Sequence, residues 1–165
     1  MNLLARLIGT VFYVGYMKPA PGTWGSLIAL PLGFLIFQIG GIWLFLFAII
    51  IGFFKGWWAT ELMTKGRENH DPSEIVVDEV VGQWIAIAPV FYAAWRLEID
   101  VTLLWPGWLA AFLLFRAFDI FKPWLVGWAD RRDDALGVML DDVIAGIFAA
   151  ITVLILAAFF HLVIM

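Results

Sequence analysis

The sequence predicts an all-α fold, a polytopic membrane helical bundle of about four to five membrane helices with an N-terminal interfacial helix. Three observations carry that prediction. Hydrophobic residues make up 64% of the 165-residue chain and charged residues only 15%, whereas a soluble domain is about half apolar. Five apolar runs, at roughly 24–38, 42–60, 80–95, 103–121 and 143–164, are each bounded by turn or charge signals, and a span needs about 20 apolar residues. Ten tryptophans are present, several near run ends (Trp24, Trp43, Trp57, Trp58, Trp105, Trp124, Trp128), as in interfacial aromatic belts.

Taken in order, residues 1–16 carry a single basic residue, Arg6, and no small-residue cleavage signal. A removed signal peptide is not expected, and the stretch reads as an amphipathic helix near the interface. The first apolar run is short and interrupted by Pro31 and Gly33, which leaves open whether it crosses fully. Gln38-Ile39-Gly40-Gly41 is a tight connection, so the first two runs form a helical hairpin. The second, fourth and fifth runs are long enough to span and the third is short. The longest loops, 61–79 and 122–141, are too short to be linkers between domains, so residues 1–165 form one integral membrane domain.

Net charge is −4, which argues against nucleic acid as a partner because no basic surface exists to neutralise phosphates in bulk. Cysteine is absent, which excludes disulfides, thiolate metal sites and cysteine nucleophiles. With a cytoplasmic N-terminus and five crossings, Arg6, Lys18, Lys65, Arg67, Arg116, Lys122, Arg131 and Arg132 fall on or near the cytoplasmic side, and Arg96 alone falls outside. The same threading gathers Lys18–Ser26, Glu61–Glu79 and Arg116–Asp142 on one membrane face.

Three constellations on that face point to chemistry. Lys18-Pro19-Ala20-Pro21-Gly22-Thr23-Trp24-Gly25-Ser26 opens a helix, where backbone N–H groups and the dipole favour an anion and Lys18 adds charge. The plainer alternative is a cap, with Thr23 or Ser26 at the N-cap and Lys18 snorkelling. The run His70-Asp71-Pro72-Ser73-Glu74 leads through Ile75-Val76-Val77 to Asp78 and Glu79. Carboxylates in a first helical turn are ordinary. Between valine pairs at the hydrocarbon edge, however, unpaired carboxylates are costly and a divalent cation removes the cost. His70 reads as a surface histidine. Arg116, Asp119 and Lys122 follow at i, i+3, i+6. They form either a phosphate clamp, in which Asp119 orients a cation or binds metal, or a local ion pair before Pro123 ends the helix.

Asp141 and Asp142 open the last apolar run. Gly146 follows Asp142 at i+4 as Gly82 follows Asp78. Two parallel helices whose glycines permit close approach would bring the two acidic pairs together, where they repel unless a cation sits between them. Oxygen-only ligands without cysteine point to Mg²⁺ rather than zinc.

These motifs have a resemblance. G-T-W-G-S-L, I-V-V-D-E-V-V-G-Q-W-I, F-R-A-F-D-I-F-K-P-W and V-M-L-D-D-V-I-A-G resemble, in order and approximate spacing over nearly the whole chain, the bacterial phosphatidylglycerophosphatase A family. The resemblance implies a Mg²⁺-dependent phosphatase of the bacterial inner membrane, with its active site facing the cytoplasm. It would convert the phospholipid substrate phosphatidylglycerophosphate to phosphatidylglycerol. It carries functional roles onto Asp78, Glu79, Arg116, Asp119, Lys122, Asp141 and Asp142. The chain departs from the family pattern at Leu125-Val126 and at Asp134-Ala135. Combining motifs and resemblance, we expect catalytic roles for Asp78, Glu79, Asp141 and Asp142, metal ligation by Asp78, Glu79, Asp142 and Asp119, and phosphate binding by Arg116, Lys122, Lys18 and Thr23.

Two other classes compete. A small cation transporter or channel would use the carboxylates as a relay, but predicts charges spread across membrane depth and leaves Arg116 and Lys122 without a role. A non-catalytic scaffold subunit would need neither motif set.

Overall fold

A computed structural model describes residues 2–66 and 71–163, and every element of regular structure among them is a helix. Arg67 and His70, read above as a cytoplasmic cation and a surface histidine, lie outside the described residues. Four helices are long and apolar enough to cross a membrane.

The N-terminal helix α1 covers Leu3–Gly9, with the Asn2 side chain accepting from Leu4 N–H. It is shorter than the sequence suggested. Val11, Phe12 and Tyr13 turn the chain in the left-handed region, and a 3-10 turn follows at Val14–Tyr16.

Helix α2 runs from Pro21 to Thr64 and is a hairpin. Its helical geometry breaks at Gly40 and at Gly41, whose φ of 63° favours glycine. A β-carbon on Gly33 would meet the Phe45 ring at 3.0 Å, although a straight helix would separate positions 12 residues apart by about 18 Å. The first arm starts at Pro21 and passes through Pro31, so it is longer than its apolar run and each arm is long enough to cross. The hairpin tip packs against Trp95, with Trp43 and Trp95 centroids 6.0 Å apart.

Helix α3 spans Val77–Leu97 and ends where Glu98 takes a left-handed conformation. Asp100 then nucleates a 3-10 turn at Val101–Leu104 by accepting from Thr102 N–H and Oγ1–H, each at 2.8 Å. Helix α4, Trp105–Phe121, stops at Lys122, whose φ of 45° and the following Pro123 end the helix.

The loop expected at 122–141 holds a short helix, α5 at Leu125–Asp130, seated by buried Val126 and Ala129. Helix α6 is Ala135–Val163. It begins six residues before Asp141, because Asp134 accepts from Gly137 N–H at 2.7 Å and starts the helix there. Asp141 and Asp142 therefore sit inside α6, not at its opening.

The core is aromatic. Phe45, Phe91 and Phe115 are fully buried, and Phe91 contacts Phe37, Phe45 and Trp108 at centroid distances of 4.7–5.3 Å. Trp84 donates from Nε1 to Ala29 O at 2.8 Å, tying α3 to the first arm of α2. The two arms, α3, α4 and α6 make five apolar passes. The start of α2, the start of α3, the end of α4 and the first half of α6 meet at one end of the bundle.

Candidate active site

Two backbone relationships place the carboxylates. At Gly82 an added β-carbon would lie 2.7 Å from the Asp142 carbonyl oxygen, and at Gly146 it would overlap the Gly82 carbonyl oxygen. No side chain fits between α3 and α6 there, so the backbones touch, as small residues allow in membrane interfaces. Asp78 and Asp142 each lie one turn above their glycine. The spacing echo seen in the sequence is thus a real contact between two helices.

The result is a carboxylate cluster. Asp78, Glu79 and Asp142 each offer an oxygen, and these oxygens all lie within 4.8 Å of one another. Asp78 is 5% exposed and Asp142 3%. Glu79 Oε2 is buried with no hydrogen-bond partner, and among the described residues no lysine or arginine ion-pairs with any of the three. Three near-enclosed carboxylates with no salt-bridge partner among the described residues, and Arg116 as the nearby cation, fit a hard divalent cation, whose preferred ligands are such oxygens.

Around the cluster stand cationic and backbone groups. Arg116 pairs with Asp119 at 2.5 Å, its Nη1 lies 3.5 Å from Ser26 Oγ, and its Nε is buried without a partner. A β-carbon on Gly22 would collide with Glu79 Oε1 and lie 3.3 Å from Arg116 Nη1, so the first turn of α2 is pressed against the site. That turn has Ala20 as N-cap and no side-chain cap. Ser26 instead donates back to Gly22 O at 2.9 Å, so neither Thr23 nor Ser26 is the cap considered above. The uncapped amides of this turn are suited to receive an anion.

Lys122 bridges α4 to two other helices. Its Nζ donates to Asp141 at 2.8 Å and forms a second, shorter bond to Asp130. Burial works against its charge, but the two carboxylates outweigh that and hold its pKa above the usual lysine value of 10.5.

The expected residues are therefore not equivalent. Asp78, Glu79 and Asp142 converge on one point. Asp119 stands beside Asp142 but pairs with Arg116, and Asp141 turns to Lys122. Thr23 is half-buried in the first turn of α2, next to Gly22. Lys18 is exposed and joins no ion pair among the described residues.

Four groups went unremarked as site residues. Asp130 is the second partner of Lys122. Asp71 lies among the charges of Lys122, Asp119 and Asp130. Ser26 faces Arg116. Gln83, one turn beyond Glu79, is fully buried with both amide atoms unpartnered. An amide in the middle of an apolar helix was the available signal for Gln83, and membership of the acidic run before Asp78 was the signal for Asp71.

The phosphatidylglycerophosphatase A family profile matches residues 7–157, which include every one of these groups. The chain belongs to the phosphatidylglycerophosphatase A family. Members are phosphoric monoester hydrolases that act on a phospholipid. The phosphatidylglycerophosphatase A of Haemophilus influenzae is 37% identical over 149 residues, 90% of this chain and 85% of the relative. That of Escherichia coli is 32% identical over 148 residues, 88% and 78% of the two chains. A Bacteroides thetaiotaomicron relative bearing the name "Putative phosphatidylinositol-3-phosphatase" is 36% identical over 157 residues, 92% of each chain. No solved structure matches the chain.

Proposed function

We propose that this phosphatidylglycerophosphatase A family member removes the terminal phosphate of phosphatidylglycerophosphate to give phosphatidylglycerol, with Mg²⁺, at the cytoplasmic face of the bacterial inner membrane. The observation that carries the metal-dependent part is the meeting of Asp78, Glu79 and Asp142 from two helices within 4.8 Å, beside Arg116. These three carboxylates would hold the ion. When bound, it supplies Lewis acidity that polarises phosphoryl oxygens and acidifies water.

The chain's own groups do the positioning, which is most of catalysis in phosphoryl transfer. The first-turn amides of α2, with Thr23, receive phosphate oxygens. Arg116 offers a planar fork to two oxygens and is held in aim by Asp119. Lys122 adds charge from the rim, where Asp141 and Asp130 keep it protonated. The site lies at a bundle end, so the acyl chains stay in the bilayer while the headgroup reaches it. The basic residues of the helix ends around the site, against Arg96 alone at the far end, support a cytoplasmic orientation.

A cation relay fits less well. After Glu79 and Asp142, α3 and α6 carry no further carboxylate along their length, so no chain of acidic steps crosses the membrane. The name of the Bacteroides relative favours a second substrate, a phosphoinositide. Both are tested together. Purified protein in detergent micelles receives phosphatidylglycerophosphate or phosphatidylinositol 3-phosphate, with Mg²⁺ or EDTA. Release of inorganic phosphate from the first lipid only with the metal is the expected result. Release with EDTA present overturns the metal role, and preference for the second lipid overturns the substrate.

A further inference from the structure

We propose that the N-terminal corner, Thr10 to Gly15, is a clamp that positions Asp78 and Glu79, with Gly15 and Thr10 as positioning residues for the metal-dependent reaction. This rests on the carboxylate reading above, but concerns a segment that the proposed chemistry does not use.

The corner is strained. Val11, Phe12 and Tyr13 have φ of 47°, 52° and 71°. Three successive non-glycine residues in the left-handed region, one of them β-branched, are costly and persist only where surrounding contacts over-determine them. Those contacts are present. Phe12 N–H donates to Leu7 O at 2.8 Å and Gly15 N–H to Thr10 O at 3.0 Å. Fully buried Thr10 donates from Oγ1 to Arg6 O at 2.8 Å and accepts from Tyr13 N–H at 3.0 Å.

What the corner grips is the entry to α3. Gly9 O, at the end of α1, accepts from Val76 N–H at 2.9 Å, and Val76 is the N-cap of α3, two residues before Asp78. Gly15 packs on the Glu74 backbone so closely that a β-carbon would overlap the Glu74 carbonyl oxygen and lie 2.8 Å from its carbon. From the other side, Gly25 of α2 leaves only 2.9 Å between an added β-carbon and Val76 Cβ. Val76 has no side-chain cap to fix it. Its position is set by these backbone contacts, and the first-turn carboxylates move with it.

The test uses full-length protein in detergent, Gly15→Ala and the milder Thr10→Val, which removes the bond to Tyr13 N–H at nearly constant volume. Mn²⁺ binding is followed by electron paramagnetic resonance, beside kcat and KM for phosphate release per folded molecule. A displacement of about 1 Å at a catalytic group costs on the order of 10²-fold in rate. Gly15→Ala is expected to lower kcat by about that factor and weaken Mn²⁺ at least ~10-fold, with KM for the lipid held within about threefold. Thr10→Val should show the same split at several-fold size, and decides alone if Gly15→Ala does not fold. Wild-type Mn²⁺ affinity and kcat in the folded variants overturn the clamp. So does a loss of activity that only tracks the unfolded fraction. Failure of the phosphatase reading looks different: wild-type protein then releases no phosphate, while the Mn²⁺ comparison stands by itself.

Discussion

Gly82 and Gly146 touch through their backbones, and that contact sets the distance between Asp78 and Asp142. The carbonyl oxygen of Gly82 occupies the place of a β-carbon on Gly146, so α3 and α6 cannot approach as they do with any side chain there. Gly146→Val should therefore separate the carboxylates before it unfolds the bundle. We expect a stability loss of about 1–3 kcal/mol, as for overpacked interiors, together with a loss of metal-dependent activity larger than that instability accounts for. Thermal unfolding in detergent and phosphate release on the same sample check it.

Removing one carboxylate of the cluster differs from removing one beside it. Asp142→Asn should lower kcat by about 10²–10³-fold, the scale for losing one preorganised electrostatic contact, and should raise the Mg²⁺ concentration needed for half-activity. Asp119→Asn, which frees Arg116 rather than emptying the cluster, should leave that concentration near wild type and raise KM. Mg²⁺ titrations of both variants decide. An unchanged Mg²⁺ requirement in Asp142→Asn would remove it from the ligand set.

Arg116→Lys tests geometry against charge. Lysine keeps the charge but loses the planar fork and the reach to Ser26 Oγ. Activity is expected to fall at least ~10-fold, in line with loss of a charge-assisted bidentate contact. Near wild-type rates in Arg116→Lys would reduce its role to a point charge.

The pH dependence follows from Lys122. Its two carboxylate partners raise its pKa above 10.5 despite burial. A raised pKa means that its contribution is complete below the ordinary lysine value and is lost only as pH rises through the folded value. The ratio of wild-type to Lys122→Met activity should therefore stay flat from about pH 6 to about pH 9, well below where a lysine deprotonates. A ratio that falls towards one as pH rises to the alkaline end of this window would mean that Lys122 loses its proton there.

Much of this arrangement was legible in the sequence, and the reason is periodicity. Asp78 with Gly82 and Asp142 with Gly146 share one offset, and on parallel helices a shared offset becomes a shared level. The turn at Gly40-Gly41 was equally plain, since glycine pairs break helices in a way that needs no tertiary knowledge. Other parts depend on contacts that no local pattern encodes. Lys122 reads as a helix-end phosphate ligand, but its left-handed backbone and the seating of Val126 and Ala129 bring Asp130 onto it. Asp141 and Asp142 read as a helix start, because the long apolar run begins after them; the Asp134 cap starts the helix at Ala135, so that it already runs through both aspartates. The corner at Val11–Tyr13 runs against residue preference, since left-handed conformations are rare outside glycine and asparagine. The hydrogen bonds around Thr10 and the packing of Gly15 on Glu74 explain it.

The hairpin of α2 has a topological outcome. By folding back at Gly41 it turns four long helices into five apolar passes, an odd number of traverses when each arm crosses. The end of α6 must then emerge on the opposite surface from α1, so a reporter joined at one end and a reporter joined at the other would sample different compartments. The short helix at the front, with its grip on Val76, stays on the same side as the carboxylates it braces.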